Sequence, residues 1–284
     1  MYLISFFLIY IGLFFIYPSF ILDIIASVLT IPIYYMKLYR YNDINSNIKL
    51  VFAEKSDKEV LNINYNSTKI TILNFLIGFF GKILYKYTLY ANSIKITIPD
   101  NIMTDLKNDG IILVGSHFGI FYNGGIYLGT LLNNKIYAIH KSQKFIDNIL
   151  YPKNFYKNVD FINLDKGNVL YNLSRKNQGA VLLYCDQRPS KNSKAKEKVN
   201  FLNNEVDFHS GPAILLKKTN RKLWCFNALY KNYKTTITFT RLEDKVIDRN
   251  NLKEVTQIIA NRLTEEIVYN PEQYLWFHRR FKYI

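Results

Sequence analysis

The first 36 residues carry almost no charge, and this feature constrains the fold of the chain more than any other. Asp23 is the only charged side chain before Lys37. A run of about 20 apolar residues is long enough to cross the hydrocarbon core of a bilayer. A cleaved signal peptide fits poorly, because no basic segment precedes the run and no small-residue cleavage site follows it. We therefore predict a membrane anchor over residues 1–40, followed by one domain over residues 41–284.

The sequence leaves two arrangements of this anchor open. Tyr17-Pro18 interrupts the run, so the anchor is either one spanning helix or a kinked pair of helices that lies partly in the interface. Basic residues follow the anchor at Lys37 and Arg40. By the positive-inside bias, they predict that the domain after the anchor lies on the cytoplasmic side of the membrane.

The composition excludes several classes of protein. Of the 284 residues, 49% are hydrophobic and 21% are charged, which is too apolar for a disordered chain. Two cysteines, Cys185 and Cys225, are too few for a disulfide scaffold. No Cys/His cluster has the spacing of a zinc site, so we predict no metal.

The net charge of +15 narrows the choice of partners. A basic domain held at a membrane suits anionic lipid head groups, phosphorylated substrates or an acidic carrier protein. Nucleic acid is the usual alternative, but the basic residues are scattered along the chain, and we predict no nucleic-acid partner. The densest basic stretch, residues 191–198, is interpreted as a solvated loop.

Short apolar runs alternate with amphipathic stretches after residue 110, which predicts an α/β fold with a largely parallel central sheet flanked by helices. A polar, turn-rich link is predicted over 42–47. The predicted helices are 67–91 (capped by Ser67 or Thr68), 119–132, 143–155, 166–176 and 252–267, the last ending at Asn270-Pro271. The predicted strands are 111–115, 135–140, 159–163, 179–185, 222–230 and 235–240.

Ligands of open parallel sheets bind beyond the carboxyl ends of the strands. His117, Lys141 and Asp186 each directly follow an apolar run, so we expect the site near them. His117 stands in the segment Gly-Ser-His-Phe-Gly, where Gly119 allows substrate or backbone to approach closely. A histidine in this place can act as a general base near neutral pH, or it can simply bridge strand and helix. We predict no catalytic role for His140 or His209.

Five blocks of sequence resemble the bacterial lipid A biosynthesis acyltransferases, the late lauroyl and myristoyl transferases. GSHFGIFYN at 115–123 is similar to their HFGNWE-type histidine motif, and NIKLVF at 47–52 with EKSDKE at 54–59 is similar to their N-L-x-x-x-F-P-E segment. GAVLLYCDQR at 179–188 resembles their strand ending in D-Q. FL at 201–202 with HSGPA at 209–213 resembles F-x-G…T-G-P-A, and PEQYLWFHRRFK at 271–282 resembles the ending P-E-Q-W-x-W-x-H-R-R. The blocks follow the family order over nearly the whole chain.

The resemblance implies a membrane-bound enzyme of the inner membrane that needs no cofactor. Such enzymes move a fatty acyl chain from an acyl carrier protein or CoA thioester to a hydroxyl of a membrane glycolipid, such as a lipid A precursor. The family histidine, here His117, takes the proton from that hydroxyl. In the family an acidic residue five positions later orients the histidine.

The chain departs from the family at this acidic position. Residue 122 is Tyr122, followed by Asn123. A phenol can hydrogen-bond an imidazole, but it is neutral at pH 7 and does not stabilise an imidazolium as a carboxylate does. Three hypotheses follow: another residue supplies the acid, with Asp186 the first candidate; His117 works unassisted; or the chain is an inactive homologue that binds a lipid or a partner. Because Tyr122 stands at the position of the family's acidic residue, catalytic roles are predicted for His117 and Tyr122.

The other matched positions are candidates for substrate binding. Lys141 is placed to meet a phosphate or is an ordinary surface lysine, and Arg188 is placed to hold a phosphate or phosphopantetheine. A helix is expected to begin at Gly211-Pro212, with Ser210 as its cap, and its free N–H groups suit an anion or oxyanion. The predicted substrate-binding residues are Gly119, Asn123, Lys141, Asp186, Gln187, Arg188, Gly211 and Pro212.

Overall fold

Apolar runs form the strands of one central sheet. The computed structural model describes residues 18–38, 40–84, 93–121, 128–129, 132–141, 158–164, 167–175, 178–242 and 248–281. The strands in this part of the chain are β1 (Ile94–Ile96), β2 (Ile111–Gly115), β3 (Ile136–His140), β4 (Val159–Asn163), β5 (Ala180–Tyr184), β6 (Lys196–Phe201), β7 (Asn204–His209), β8 (Lys222–Lys231) and β9 (Lys234–Arg241).

Seven of these strands pair in the order β1-β9-β8-β2-β5-β3-β4. Every neighbouring pair is parallel except the hairpin of β8 and β9. Strands β6 and β7 form a separate antiparallel pair. The prediction of an α/β fold with a largely parallel sheet is confirmed, and each of the six predicted strands agrees to within one residue at both ends.

Helices pack against both faces of the sheet. Strand β2 shows why, because Ile112 and Val114 enter the core on one face while Ile111 and Leu113 enter the core on the other. A strand buried on both faces needs an unbroken apolar run, which is the pattern that its sequence has. The helices are α1 (Pro18–Tyr35), α2 (Tyr41–Val51), α3 (Asp57–Leu84), α4 (Asp100–Asn108), α5 (Val169–Ser174), α6 (Gly211–Lys218) and α7 (Leu252–Tyr269).

Helix α2 replaces the turn-rich link predicted over 42–47, so that prediction is wrong. Ile44, Ile48 and Val51 lie at helical spacing and are all buried. Their burial outweighs the low helix propensity of the asparagines between them. Asn47 is buried as well, and its side-chain amide donates to the carbonyl oxygens of Trp276 (2.7 Å) and His278 (2.9 Å).

Helix α3 begins ten residues before the predicted start at residue 67. Its first turn has a capping box, in which the backbone N–H of Ser56 donates to the Glu59 carboxylate (2.9 Å) and the N–H of Glu59 donates to the Ser56 hydroxyl (3.4 Å). Ser67 and Thr68 therefore lie inside the helix. The S-x-x-E spacing at 56–59 is a local signal that marks the true start.

Four further predictions need correction or lie outside the described residues. The helix expected over 166–176 is shorter, spanning Val169–Ser174. The basic loop expected over 191–198 becomes strand β6 from Lys196 onward, because Val199 and Phe201 alternate into the core. Most of the helix expected over 119–132 and all of the helix expected over 143–155 lie outside the described residues.

Helix α1 is apolar on two sides. Leu22 and Ala26 pack against α3, and Asp23 forms an ion pair with Lys69 at 2.7 Å. By length and composition α1 is the one helix of the described residues able to cross a membrane, although 39% of it is buried inside the protein. Its other side exposes large apolar side chains to solvent: Phe20, Ile24, Ile25, Val28, Leu29, Ile31 and Tyr35.

Candidate active site

The register of two neighbouring strands brings His117 and Asp186 together. Strands β2 and β5 are parallel, and their last paired residues are Gly115 and Tyr184. His117 and Asp186 each follow two residues later, so both leave the same edge of the sheet side by side. The Nδ1 atom of His117 lies 2.8 Å from Oδ1 of Asp186.

The two ring nitrogens of His117 have different partners. Asp186 is 1% exposed, and an ionised carboxylate only accepts hydrogen bonds, so Nδ1 of the histidine carries the proton of this contact. Nε2 lies 3.2 Å from Nε2 of Gln187, whose amide donates to it. This pattern holds the neutral imidazole in one tautomer, with the lone pair on Nε2. His117 is 18% exposed, so this nitrogen belongs to a partly open site.

The charge state of Asp186 follows from its surroundings. Burial by itself raises the pKa of this carboxyl, but the charge that His117 carries when protonated and hydrogen bonds from its ring and backbone outweigh that effect and lower the pKa below the ordinary value. Asp186 is therefore ionised at neutral pH. The neighbouring phenol of Tyr274 responds in the opposite direction, because burial, followed by the charge of Asp186, raises its pKa well above the ordinary value.

Aromatic rings fix the plane of the imidazole. The ring of Phe121 meets it edge-on at 4.8 Å between centroids, and the ring of Tyr184 lies 5.2 Å away. The Tyr184 hydroxyl donates to the carbonyl oxygen of Phe121 at 2.7 Å, which ties the two rings together. The histidine is thus oriented by packing as well as by its polar partners.

The segment after α7 closes the turn that carries His117. The N–H of Leu275 donates to the carbonyl oxygen of His117 (3.0 Å), and the N–H of Gly119 donates to that of Gln273 (2.8 Å). Gln273 also bonds the backbone of Tyr230 on β8, at its N–H (3.2 Å) and at its carbonyl oxygen (3.0 Å). The turn is therefore held on two sides by backbone that lies far away in sequence.

Gly119 is required by the backbone packed against it. Its φ is +57°, in the left-handed region that favours glycine, and a Cβ atom there would overlap the carbonyl oxygen of Ala228 on β8. Of the two explanations for this glycine, the structure thus gives direct support to close approach of backbone. A role of Gly119 in substrate binding stays a prediction.

The structure places the other predicted residues at different distances from this centre. Lys141 directly follows β3 at the same sheet edge, but β5 lies between β3 and β2, and the lysine is exposed. Arg188 is half-buried two residues after Asp186. Helix α6 begins at Gly211 as expected, with Pro212 in its first turn, but Ser210 caps it without a side-chain hydrogen bond. Tyr122 and Asn123 lie outside the described residues.

Several residues near His117 were missed by the sequence reasoning. Tyr184 and Tyr274 were interpreted only as parts of apolar or aromatic runs. No role was predicted for Ser116, although its buried hydroxyl has no hydrogen-bond partner among the described residues. Arg280, within the block that resembles the family ending, is 4% exposed. The sequence signal for Arg280 was a basic residue inside an aromatic segment, but the sequence alone does not say which of the basic residues in that segment is buried.

The described residues include no group of three or more His, Cys, Asp or Glu side chains placed to hold a metal ion. What the arrangement provides is a base with an unprotonated nitrogen, a buried carboxylate behind it and an amide beside it. Such a set can remove a proton from a hydroxyl group.

Comparison with known protein families identifies the family of this chain. The family model described as bacterial lipid A biosynthesis acyltransferase matches residues 1–283, which is nearly the whole chain. No curated protein sequence matches the chain. The histidine at the edge of the parallel sheet and the five blocks of similarity lie inside the matched range, and we conclude that this chain belongs to the bacterial lipid A biosynthesis acyltransferase family.

Proposed function

We propose that the protein transfers a fatty acyl group from a thioester to a hydroxyl group of a lipid A precursor or a related glycolipid. Membership of an acyltransferase family supports the reaction class. In our proposal His117 is the general base and Asp186 is its acidic partner. The observation that carries these roles is the 2.8 Å contact between Nδ1 of His117 and the buried carboxylate of Asp186.

Asp186 takes over the task of the acid that Tyr122 cannot perform. A carboxylate behind the imidazole holds the Nδ1–H tautomer and stabilises the imidazolium that forms during proton transfer. This contact supports the first of the three hypotheses about the missing acidic residue. It also argues against an inactive homologue, since the histidine has a carboxylate partner from the neighbouring strand.

The reaction then proceeds by ordinary acyl transfer. Nε2 of His117 accepts the hydroxyl proton while the hydroxyl oxygen attacks the thioester carbonyl carbon. The tetrahedral intermediate collapses, the carbon–sulfur bond breaks, and the imidazolium returns its proton to the leaving thiolate. The acceptor hydroxyl must reach the lone pair that Gln187 occupies at 3.2 Å, so the amide of Gln187 moves aside or shares this position when substrate binds.

The remaining assignments are proposals for the charged parts of the substrates. Arg188 and Lys141 are our candidates for a phosphate of the acceptor or of phosphopantetheine. The first turn of α6, at Gly211 and Pro212, lacks a side-chain cap and is our candidate for the carbonyl oxygen. The donor is an acyl carrier protein or CoA thioester. We place the enzyme at the cytoplasmic face of the inner membrane, held by its apolar N-terminal segment.

The decisive experiment is an acyl-transfer assay with the full chain in detergent. The protein is mixed with acyl-carrier-protein or acyl-CoA thioesters and with lipid A precursors or phospholipids, and products are identified by mass. The matched variants are His117→Asn and His140→Asn, which make the same substitution at two histidines. His117 follows strand β2, and His140 is the last residue of strand β3. We expect wild type and His140→Asn to add one acyl chain to the glycolipid, and His117→Asn to add none.

Other outcomes would change the proposal. Acylation of phospholipid alone would replace the acceptor, and equal activity of His117→Asn would exclude His117 as the base. No transfer from any donor, by a folded protein that still binds lipid, would support the inactive homologue.

A further inference from the structure

Arg280 is a buried cation whose charge the proposed chemistry does not use. Its side chain is 4% exposed, and none of Nε, Nη1 and Nη2 has a hydrogen-bond partner among the described residues. The guanidinium instead lies over two aromatic rings, 5.5 Å from the centroid of Phe201 and 5.2 Å from that of Phe208. The rings hold the group in place, but they supply neither a counter-charge nor an acceptor oxygen.

Arg280 belongs to the segment that packs against the turn of His117. The segment that carries Arg280 begins with Tyr274, which forms a β-bridge with Phe118, and continues with Leu275, which bonds the backbone of His117. The carboxylate of Asp186 and the guanidinium of Arg280 shift the pKa values of the same buried groups in opposite directions. For example, burial and the carboxylate raise the pKa of Tyr274, while the guanidinium lowers it.

The neighbouring histidines do not balance the charge of Asp186. Burial, reinforced by the charge of Arg280, lowers the pKa of His209 to about 4, and burial lowers that of His278 to about 4 as well. Both imidazoles are therefore neutral at pH 7. His117 must also be neutral to act as a base. While it is neutral, the buried carboxylate has no positive partner in direct contact with it among the described residues.

We propose that Arg280 is the buried counter-ion of Asp186 and thereby a positioning residue for the His117–Asp186 pair. Its positive charge keeps the carboxylate ionised while His117 is neutral, so that Nδ1–H continues to donate to Asp186. This role deepens the proposed function and rests on it, because it concerns the base of the same reaction.

The first test measures stability and does not require activity. Thermal unfolding is compared for wild type, Arg280→Gln, Asp186→Asn and the double variant. We expect the double variant to unfold at a higher temperature than Arg280→Gln, because it removes the carboxylate that the single change leaves unbalanced. Losses that simply add would overturn the proposal. If wild type transfers no acyl group, the proposed function fails, but this comparison still tests the counter-ion.

The second test uses the pH dependence of acyl transfer. The groups facing Arg280 include Asp186, Tyr274 and Cys185, together with the two neutral histidines and the half-buried Arg188. Removing the positive charge favours protonation of Asp186, which weakens the acceptor of Nδ1–H, so the acidic limb of kcat/KM should move to higher pH in Arg280→Gln. Arg280→Lys, which keeps the charge, should restore most of the wild-type profile.

Arg279→Gln is the matched control. Arg279 is half exposed and pairs with Asp43 at 2.8 Å, so this variant removes the same charge from the adjacent residue at the surface. Its pH profile should equal that of wild type. A raised KM for either substrate in Arg280→Gln, with kcat and the pH profile unchanged, would overturn the proposal and make Arg280 a substrate-binding residue.

Discussion

The two ring nitrogens of His117 are kept chemically different by two consecutive residues of one strand end. Asp186 accepts a hydrogen bond from Nδ1–H, and the amide of Gln187 donates to Nε2. The carboxylate requires a proton on Nδ1 and the amide requires a lone pair on Nε2, so both contacts select the same tautomer of the neutral imidazole. Together they leave the lone pair on the nitrogen that faces the open part of the site.

Asp186→Asn tests the value of this arrangement. An asparagine amide can donate to Nδ1, which forces the other tautomer and occupies the lone pair of Nε2 with a proton. We expect kcat to fall by about 10²- to 10⁴-fold, with a much smaller change in KM. Steady-state acyl-transfer kinetics measure both values, and circular dichroism confirms the fold. Unchanged kcat would mean that His117 works without the carboxylate.

The lowered pKa of Asp186 also predicts how stability depends on pH. A carboxyl whose pKa is lower in the folded state stabilises the fold fully above its unfolded pKa of about 3.9. The contribution is lost as the pH falls through the lower, folded value. The free energy of unfolding of wild type should therefore decrease below about pH 4 more steeply than that of Asp186→Asn. Denaturant titrations at a series of pH values measure this difference, and parallel curves would contradict it.

At the scale of elements, the turn after β2 is held by three distant pieces of chain. Helix α3 contributes Asn74, whose amide donates to the carbonyl oxygen of Gly119 at 2.6 Å. Strand β8 accepts the N–H of Ile120 through Ala228 (2.8 Å), and the segment after α7 accepts that of Gly119 through Gln273. The position of His117 therefore depends on the packing of these elements on one another.

Gly119→Ala should damage this junction severely. The methyl group meets both a left-handed φ and the backbone oxygen of Ala228, and backbone cannot rotate away as a side chain can. Gly167→Ala is the control, because Gly167 has a similar φ of +67° but nothing within 4 Å of the new methyl group. We expect about 1 kcal/mol of destabilisation at Gly167 and several times more at Gly119. Equal melting temperatures of the two variants would contradict the contact.

At the scale of the whole molecule, helix α1 lies between the domain that carries the site and the surface proposed to contact a membrane. One side of this helix packs on α3, which in turn bonds the His117 turn through Asn74. The other side carries a stripe of exposed apolar side chains, whose contact with water is unfavourable. We infer that this stripe lies in lipid, so that α1 contacts the bilayer on one side and the domain on the other.

The membrane prediction is tested by Val28→Asn with Ile31→Asn. These side chains are 59% and 48% exposed, so the changes should spare the fold while weakening binding to lipid vesicles by about tenfold or more. Val268→Asn, at an exposed valine on α7, is the matched control and should bind as wild type does. Vesicle flotation of the full chain measures the bound fraction. Undiminished binding of the double variant would mean that residues outside this stripe make the attachment.

Much of the fold could be predicted because its signals are local. The runs at β2 and β5 are apolar without interruption, which marks strands buried on both faces, and Asn270-Pro271 marks the end of α7. Helix α2 was not predicted, because its asparagines are poor helix formers. The helix is stabilised by contacts with residues that are distant in sequence, and a local pattern does not reveal them. The block around His117 that resembles the family motif likewise directed attention to this strand end.

The sequence by itself determined the class of fold, the family and the histidine, because strand and helix periodicities and short motifs arise between neighbouring residues. Only the tertiary structure decided which carboxylate meets that histidine. Asp186 lies 69 positions from His117, and the two meet because β5 pairs with β2 in a register that aligns Gly115 with Tyr184. The burial of Arg280, but not of Arg279, was decided in the same way. Strand order and burial depend on how the whole chain packs, and no local pattern contains that information.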